Sequence, residues 1–153
     1  MLLALLALVL GPYLALSLAN RWISGFNIPS SVQGKVGLSV FFLFTGLGHF
    51  THTAEMTSML PSSIPYRLEA VYLTGILETL AAVAIWIPGV ARTAGNGLLL
   101  LLIAILPANV YSAFNYVGFG GHQSGPAYLL IRIPFQLFLI WWVYRHTRES
   151  PES

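Results

Sequence analysis

Charge is scarce in this chain, and that scarcity limits what it can fold into. Asp, Glu, Lys and Arg together make up 8% of the 153 residues, apolar residues make up 56%, and Asp does not occur at all. Ordinary globular chains are about a quarter charged. A soluble helical bundle of this size needs a charged outer surface, and these residues cannot supply one. Lipid is the solvent that tolerates such a surface, so the composition predicts an all-α membrane protein.

A spanning helix takes about 20 mostly apolar residues. Five stretches qualify, at about 2–20, 31–50, 68–87, 93–115 and 127–144. Together they suggest one transmembrane helical domain over 1–146, followed by a polar cytoplasmic tail at 147–153. The first stretch lacks the basic opening of a signal peptide and is expected to be a retained helix. Lys and Arg favour cytoplasmic loops. With five spans, Arg21, Lys35, Arg92, Arg145 and Arg148 fall on one side, while Arg67 and Arg132 fall on the other. This predicts an inner-membrane protein with its N-terminus outside and its C-terminus in the cytoplasm. Trp22, Trp86, Trp141, Trp142 and Tyr144 would form the inner aromatic belt, and Tyr66, Tyr116 and Tyr128 the outer one.

The seven basic residues are scattered, which argues against nucleic acid as a partner. The chain has no Cys, so it carries no disulfide, thiolate metal site or thiol redox chemistry of its own.

Ionisable groups inside a spanning helix are rare and usually functional. Glu78 lies about 15 Å along the third stretch at 1.5 Å per residue, near the bilayer centre. An ionised carboxylate there needs a partner, a proton or water. Arg132 enters the fifth stretch from the same side, so a Glu78–Arg132 pair is geometrically possible. Asn109 follows Pro107, and Gln136 follows Pro134. Each proline frees a carbonyl one turn earlier, at Ile103 and Leu130.

His49, His52 and Glu55 are spaced by three at the outer end of the second stretch. This is not the His-Glu-x-x-His arrangement of zinc proteases. They are expected to line the mouth of a polar pocket and to hold no metal. Phe50, Met56, Met59 and Leu60, followed by Pro61 and Pro65, suggest a short segment lying over that mouth. Thr45, Asn109 and Gln136 can also serve as interhelical hydrogen-bond glue. Gly75 and Thr79, with Thr74 and Ala82, give the third helix a small packing face. His122 sits in the Gly-rich stretch 118–125 and reads as a solvated loop residue.

The motifs Gly-Leu-Gly-His-Phe (46–50), Leu-Pro-Ser-Ser-Ile-Pro-Tyr (60–66), Leu-Thr-Gly-Ile-Leu-Glu (73–78), Leu-Pro-Ala-Asn-Val-Tyr-Ser-Ala (106–113) and Arg-Ile-Pro-Phe-Gln (132–136) occur in that order. Over about 36–144 the chain resembles the DoxX-like family of small membrane proteins. The resemblance implies a four-helix transmembrane core, to which this chain adds an N-terminal helix. It places His49, Glu78, Asn109, Arg132 and Gln136 on motif positions. Members of that family are associated with a thiosulfate:quinone oxidoreductase and with other membrane-side redox or detoxification partners.

Three functions follow as expectations. The first is a pocket for a quinone or similar lipophilic ligand in a membrane redox system, with a redox partner subunit as a further expected partner. In it Glu78 or His49 relays a proton, and His52, Glu55, Asn109, Arg132 and Gln136 contribute to binding. The second is a lipid or sterol-type isomerase using Glu78 and His49 as acid and base. The third is a non-enzymatic scaffold or complex subunit. A transporter is disfavoured, because no paired inverted repeat is visible.

Overall fold

The computed structural model describes residues 2–148. It is helical throughout, with no strand among the described residues. The helices are α1 (Leu2–Trp22), α2 (Ser30–Thr51), the short α3 (Thr53–Ser58), α4 (Arg67–Ala84), α5 (Ala91–Phe114) and α6 (Leu129–His146). A 3₁₀ segment (His122–Tyr128) leads into α6.

Local chemistry sets these ends. Pro29 fixes the backbone just ahead of α2. His52 leaves helical geometry (φ −126°, ψ 38°), so α2 stops there and α3 restarts at an angle as a separate short helix. This short helix takes in Met56 and ends just before Met59. α4 ends at Ala84, three residues before the predicted end. Trp86 and Ile87 instead bond back three residues, to the Val83 and Ala84 carbonyls, as the chain tightens toward Pro88-Gly89. Pro12, Pro107 and Pro134 all lie inside helices that continue past them.

α2 is the central element, packed against α1, α4 and α6, while α5 packs on α4 and α6. α2 and α4 run antiparallel, as the pairs Ser39–Ala82, Thr45–Glu78 and His49–Thr74 show. Their close approach depends on small residues. A Cβ added to Gly75 would stand 2.6 Å from His49 Cβ and 3.1 Å from the Gly46 carbonyl, so only glycine fits. The expected small face of this helix is therefore the one turned to α2. The apolar core joins Leu5 and Val9 of α1, Leu38, Phe41 and Phe42 of α2, and Ile85, Leu98, Leu102, Phe135, Leu139 and Val143.

The outer surface is unusually apolar. Leu80, Leu100, Ile103, Leu130 and Leu137 all project outward. α1, α5 and the 3₁₀–α6 segment are each long and apolar enough to cross a membrane. α4 is not in that set because its eighteen residues include Arg67, Glu69 and Glu78.

Two aromatic residues depart from the expected belts. Trp142 is buried in the core, where its Nε1 donates to the Gly34 carbonyl at 3.3 Å and its ring meets Tyr13 edge-on. Tyr128 is buried as well. The others, Trp22, Trp86, Trp141, Tyr144, Tyr66 and Tyr116, are exposed. The start of the expected tail is docked: Thr147 is buried against Gly95, and Arg148 donates to Asn96 Oδ1 at 2.6 Å. Residues 149–153 lie outside the described residues.

Candidate functional site

The antiparallel register of α2 and α4 brings Glu78 opposite Thr45 and His49. The Glu78 side chain is 5% exposed and both its oxygens have neighbours on α2. Thr45 Oγ1 donates to Oε2 at 2.7 Å, and His49 Nε2 stands 3.7 Å from Oε1. His49 Nδ1 lies 3.1 Å from the Thr74 hydroxyl. That hydroxyl sits within reach of the Ala70 and Val71 carbonyls of its own helix. The result is a chain of polar groups running Thr74–His49–Glu78–Thr45 along one helix interface. The His49 side chain is 15% exposed, and Thr45 and Thr74 are likewise only partly buried, so Glu78 is the one buried member of that chain.

A second set lies between α5 and α6. Asn109 Oδ1 accepts from Arg132 Nε at 3.3 Å, while its Nδ2 donates to the Ile105 carbonyl. Gln136 is 1% exposed; its Nε2 donates to the Leu102 carbonyl at 2.6 Å, and its Oε1 is buried with no partner among the described residues. Gln136 therefore bonds to the residue before Ile103, whose carbonyl Pro107 frees.

The proposed Glu78–Arg132 pair does not form. α4 packs on α2, α3 and α5, whereas α6 packs on α2, α5 and the 3₁₀ segment. Each charged group thus finds its partner on a helix it touches. Glu78 is still near enough to act on Arg132 electrostatically, so the two sets belong to one region.

His52 and Glu55 do not join either set. His52 is exposed, with Nδ1 2.9 Å from the Thr51 hydroxyl and its ring 5.6 Å from that of Phe119. Glu55 is exposed on α3. No group of three or more His, Asp or Glu side chains among the described residues could hold a metal.

Hollows mark the surface formed by the described residues. One of about 350 Å³ lies beside Thr57, Ser62, Arg67 and Glu69, and an apolar one of about 500 Å³ lies between α4 and α5, beside Leu77, Leu80, Ala94 and Gly97. Neither is lined by His49, Glu78, Asn109, Arg132 or Gln136.

Sequence reasoning missed His122 and Tyr128. His122 is not solvated: its ring is buried edge-on against Tyr128, with centroids 5.0 Å apart. Both lie close enough to Arg132 to feel its charge. The available signal was the pair of glycines around the histidine. Gly121 (φ 95°) has a backbone that L side chains rarely adopt, and its missing Cβ makes room for the Tyr128 ring, 2.7 Å from that position.

Fold and site together define an all-helical bundle with spanning-length apolar helices and a buried polar centre. The chain belongs to the family described as a domain of unknown function, DUF8561, whose model matches residues 38–147. That range takes in α4, α5, α6 and most of α2, and with them both polar sets. No curated protein and no solved structure matches the chain.

Proposed function

We propose that this is a five-span, DoxX-like protein of the inner membrane whose buried polar centre binds a quinone or a similar lipophilic ligand within a membrane redox system. The observation that carries this reading is the Glu78–His49 contact at 3.7 Å, buried between two helices. A few convergent polar groups in an apolar surround are the usual make-up of a small-molecule site, and here Thr45, His49 and Thr74 are partly exposed beside the buried Glu78. In this reading His49 exchanges a proton between the ligand and Glu78. Arg132 and Asn109 donate to a ligand carbonyl, and the Oε1 of Gln136 accepts from a ligand hydroxyl.

At 1.5 Å per residue α2 is roughly 33 Å long and α4 roughly 27 Å, sufficient for both to span in company with the three more apolar helices. Arg21, Arg92, Arg145 and Arg148 lie at the end where α1 and α6 finish and α5 begins, which supports a cytoplasmic assignment for that end.

A scaffold is the second reading, favoured by one observation. Both Glu78 oxygens already face α2 groups, at the place where Gly46 and Gly75 bring the helices closest. Native mass spectrometry of the protein extracted with its lipids separates the two. Retention of a quinone by wild type, and its loss in Glu78→Gln and Arg132→Ala, is the expected result. Identical nonspecific lipid adducts in all three would overturn the ligand reading in favour of the scaffold.

A further inference from the structure

Three polar groups meet where the 3₁₀ segment joins α6, and the quinone reading uses only Arg132 among them. His122 is 2% exposed and Tyr128 is 7% exposed. The Phe119 carbonyl lies 2.9 Å from His122 Nδ1 and can only accept, so Nδ1 carries the proton. In the neutral ring Nε2 is then a bare lone pair. That nitrogen and the Tyr128 hydroxyl are both buried without a hydrogen-bond partner among the described residues.

Arg132 completes the set from one turn along α6. Its Nε is engaged by Asn109, and its two Nη groups make no hydrogen bond to a described residue. No carboxylate forms an ion pair with it among the described residues. A guanidinium is always charged and presents a planar fork that fits two oxygens of one anion. The cluster therefore presents a fork for two oxygens, a hydroxyl for a third, and an acceptor for one hydrogen.

We infer that this cluster is a binding site for a phosphate monoester, carried on a lipid or free in solution. The Arg132 fork takes two phosphoryl oxygens, and the third, the P–OH, accepts from the Tyr128 hydroxyl and donates to His122 Nε2. The acceptor nitrogen sets the specificity. Sulfate and phosphodiester headgroups carry no hydroxyl on the central atom, so they leave His122 unsatisfied. A phosphate monoester that keeps one proton satisfies all three residues. Leu130 and Ile131, exposed apolar residues beside Arg132, offer a path for acyl chains. This inference goes beyond the quinone reading and shares only Arg132 with it.

The test uses the full chain in phosphatidylcholine nanodiscs, with binding read by native mass spectrometry. The probes are dioleoyl phosphatidic acid, dioleoyl phosphatidylglycerol, inorganic phosphate and sulfate. One phosphatidic acid is expected to bind, at least about tenfold tighter than phosphatidylglycerol. Tyr128→Phe, His122→Phe and Arg132→Lys each weaken it about tenfold, by loss of one charge-assisted hydrogen bond. His122→Gln, which keeps an acceptor, retains the preference for phosphatidic acid, and it keeps the test open if His122→Phe does not fold. Glu78→Gln leaves this binding within about twofold while removing quinone, so the two readings fail separately. Displacement of phosphatidic acid by inorganic phosphate but not by sulfate assigns the site to the free ion, and failure of phosphate to displace it assigns the site to the lipid. Equal binding of the two lipids by wild type, or unchanged binding in folded His122→Phe and Tyr128→Phe, overturns the inference.

Discussion

His49 Nε2 stands 3.7 Å from Glu78 Oε1, and this contact joins the middle of α4 to the last turns of α2. Glu78 is buried, and its other oxygen accepts from Thr45 Oγ1 at 2.7 Å. Removing Glu78 takes away the hydrogen bond that its carboxyl accepts from Thr45 and its contact with His49, which costs about 1–3 kcal/mol. Glu78→Ala is therefore expected to lose about that much. Glu78→Gln keeps an oxygen for Thr45 and loses less. Unfolding in mixed micelles, followed by circular dichroism, measures both. Equal losses would mean that packing, and not the polar contact, sets the energy.

The glycine at 75 predicts a steric effect of similar size. Gly75→Ala places a methyl 2.6 Å from His49 Cβ, so α2 and α4 must separate. Overpacking of this kind costs about 1–3 kcal/mol. Gly11→Ala is the matched control, since nothing lies within 4 Å of its added carbon. There the better helix propensity of alanine gives a neutral or slightly stabilising change, up to about 1 kcal/mol. The same unfolding measurement compares the two.

Asn109 and Gln136 should behave differently although both are buried amides. Asn109→Ala takes away the only hydrogen bond that Arg132 makes to a described residue, and a loss of about 1–3 kcal/mol is expected. Gln136→Met removes a bond to the Leu102 carbonyl but also removes an orphaned Oε1. Hydrogen bonds between membrane helices average about 0.6 kcal/mol. The two changes nearly cancel, so Gln136→Met should alter stability by less than about 1 kcal/mol. A drop as large as that of Asn109→Ala would show that Oε1 has a partner in the folded protein.

Because the chain has no cysteine, topology can be read without background. Ser62→Cys lies in the exposed loop between α3 and α4, and Ser24→Cys in the exposed turn between α1 and α2. With the N-terminus outside, an impermeant maleimide labels Ser62→Cys in intact cells and reaches Ser24→Cys only after lysis. The opposite pattern reverses the orientation.

Apolar runs and their breakers made the long helices legible, because length and hydropathy are local properties. The interruption near residue 52 was legible too, from the prolines and methionines that follow it. Partner choice was not. Arg132 and Glu78 suit each other by charge and depth, yet which helix faces which depends on where Gly46 and Gly75 allow close approach. Burial of His122 was hidden for a related reason. Its surroundings are glycines, and a glycine-rich stretch looks the same in sequence whether it is solvated or folded under a tyrosine. Trp142 shows the reverse: adjacent tryptophans near a helix end resemble a belt, but only Trp141 faces outward.

Chain order gives the two polar sets a further property. Glu78 is made after α2, so Thr45 and His49 already exist to receive it. Arg132 and Gln136 come on the last helix, after Asn109 and the Leu102 carbonyl. The hydroxyls that arrive earliest need no such reception: Thr45 also reaches the Phe41 carbonyl of its own turn, as Ser112 reaches Ala108. During synthesis, then, Glu78, Arg132 and Gln136 each follow the groups that hold them out of the ribosome, and the order of the helices serves as the order of assembly.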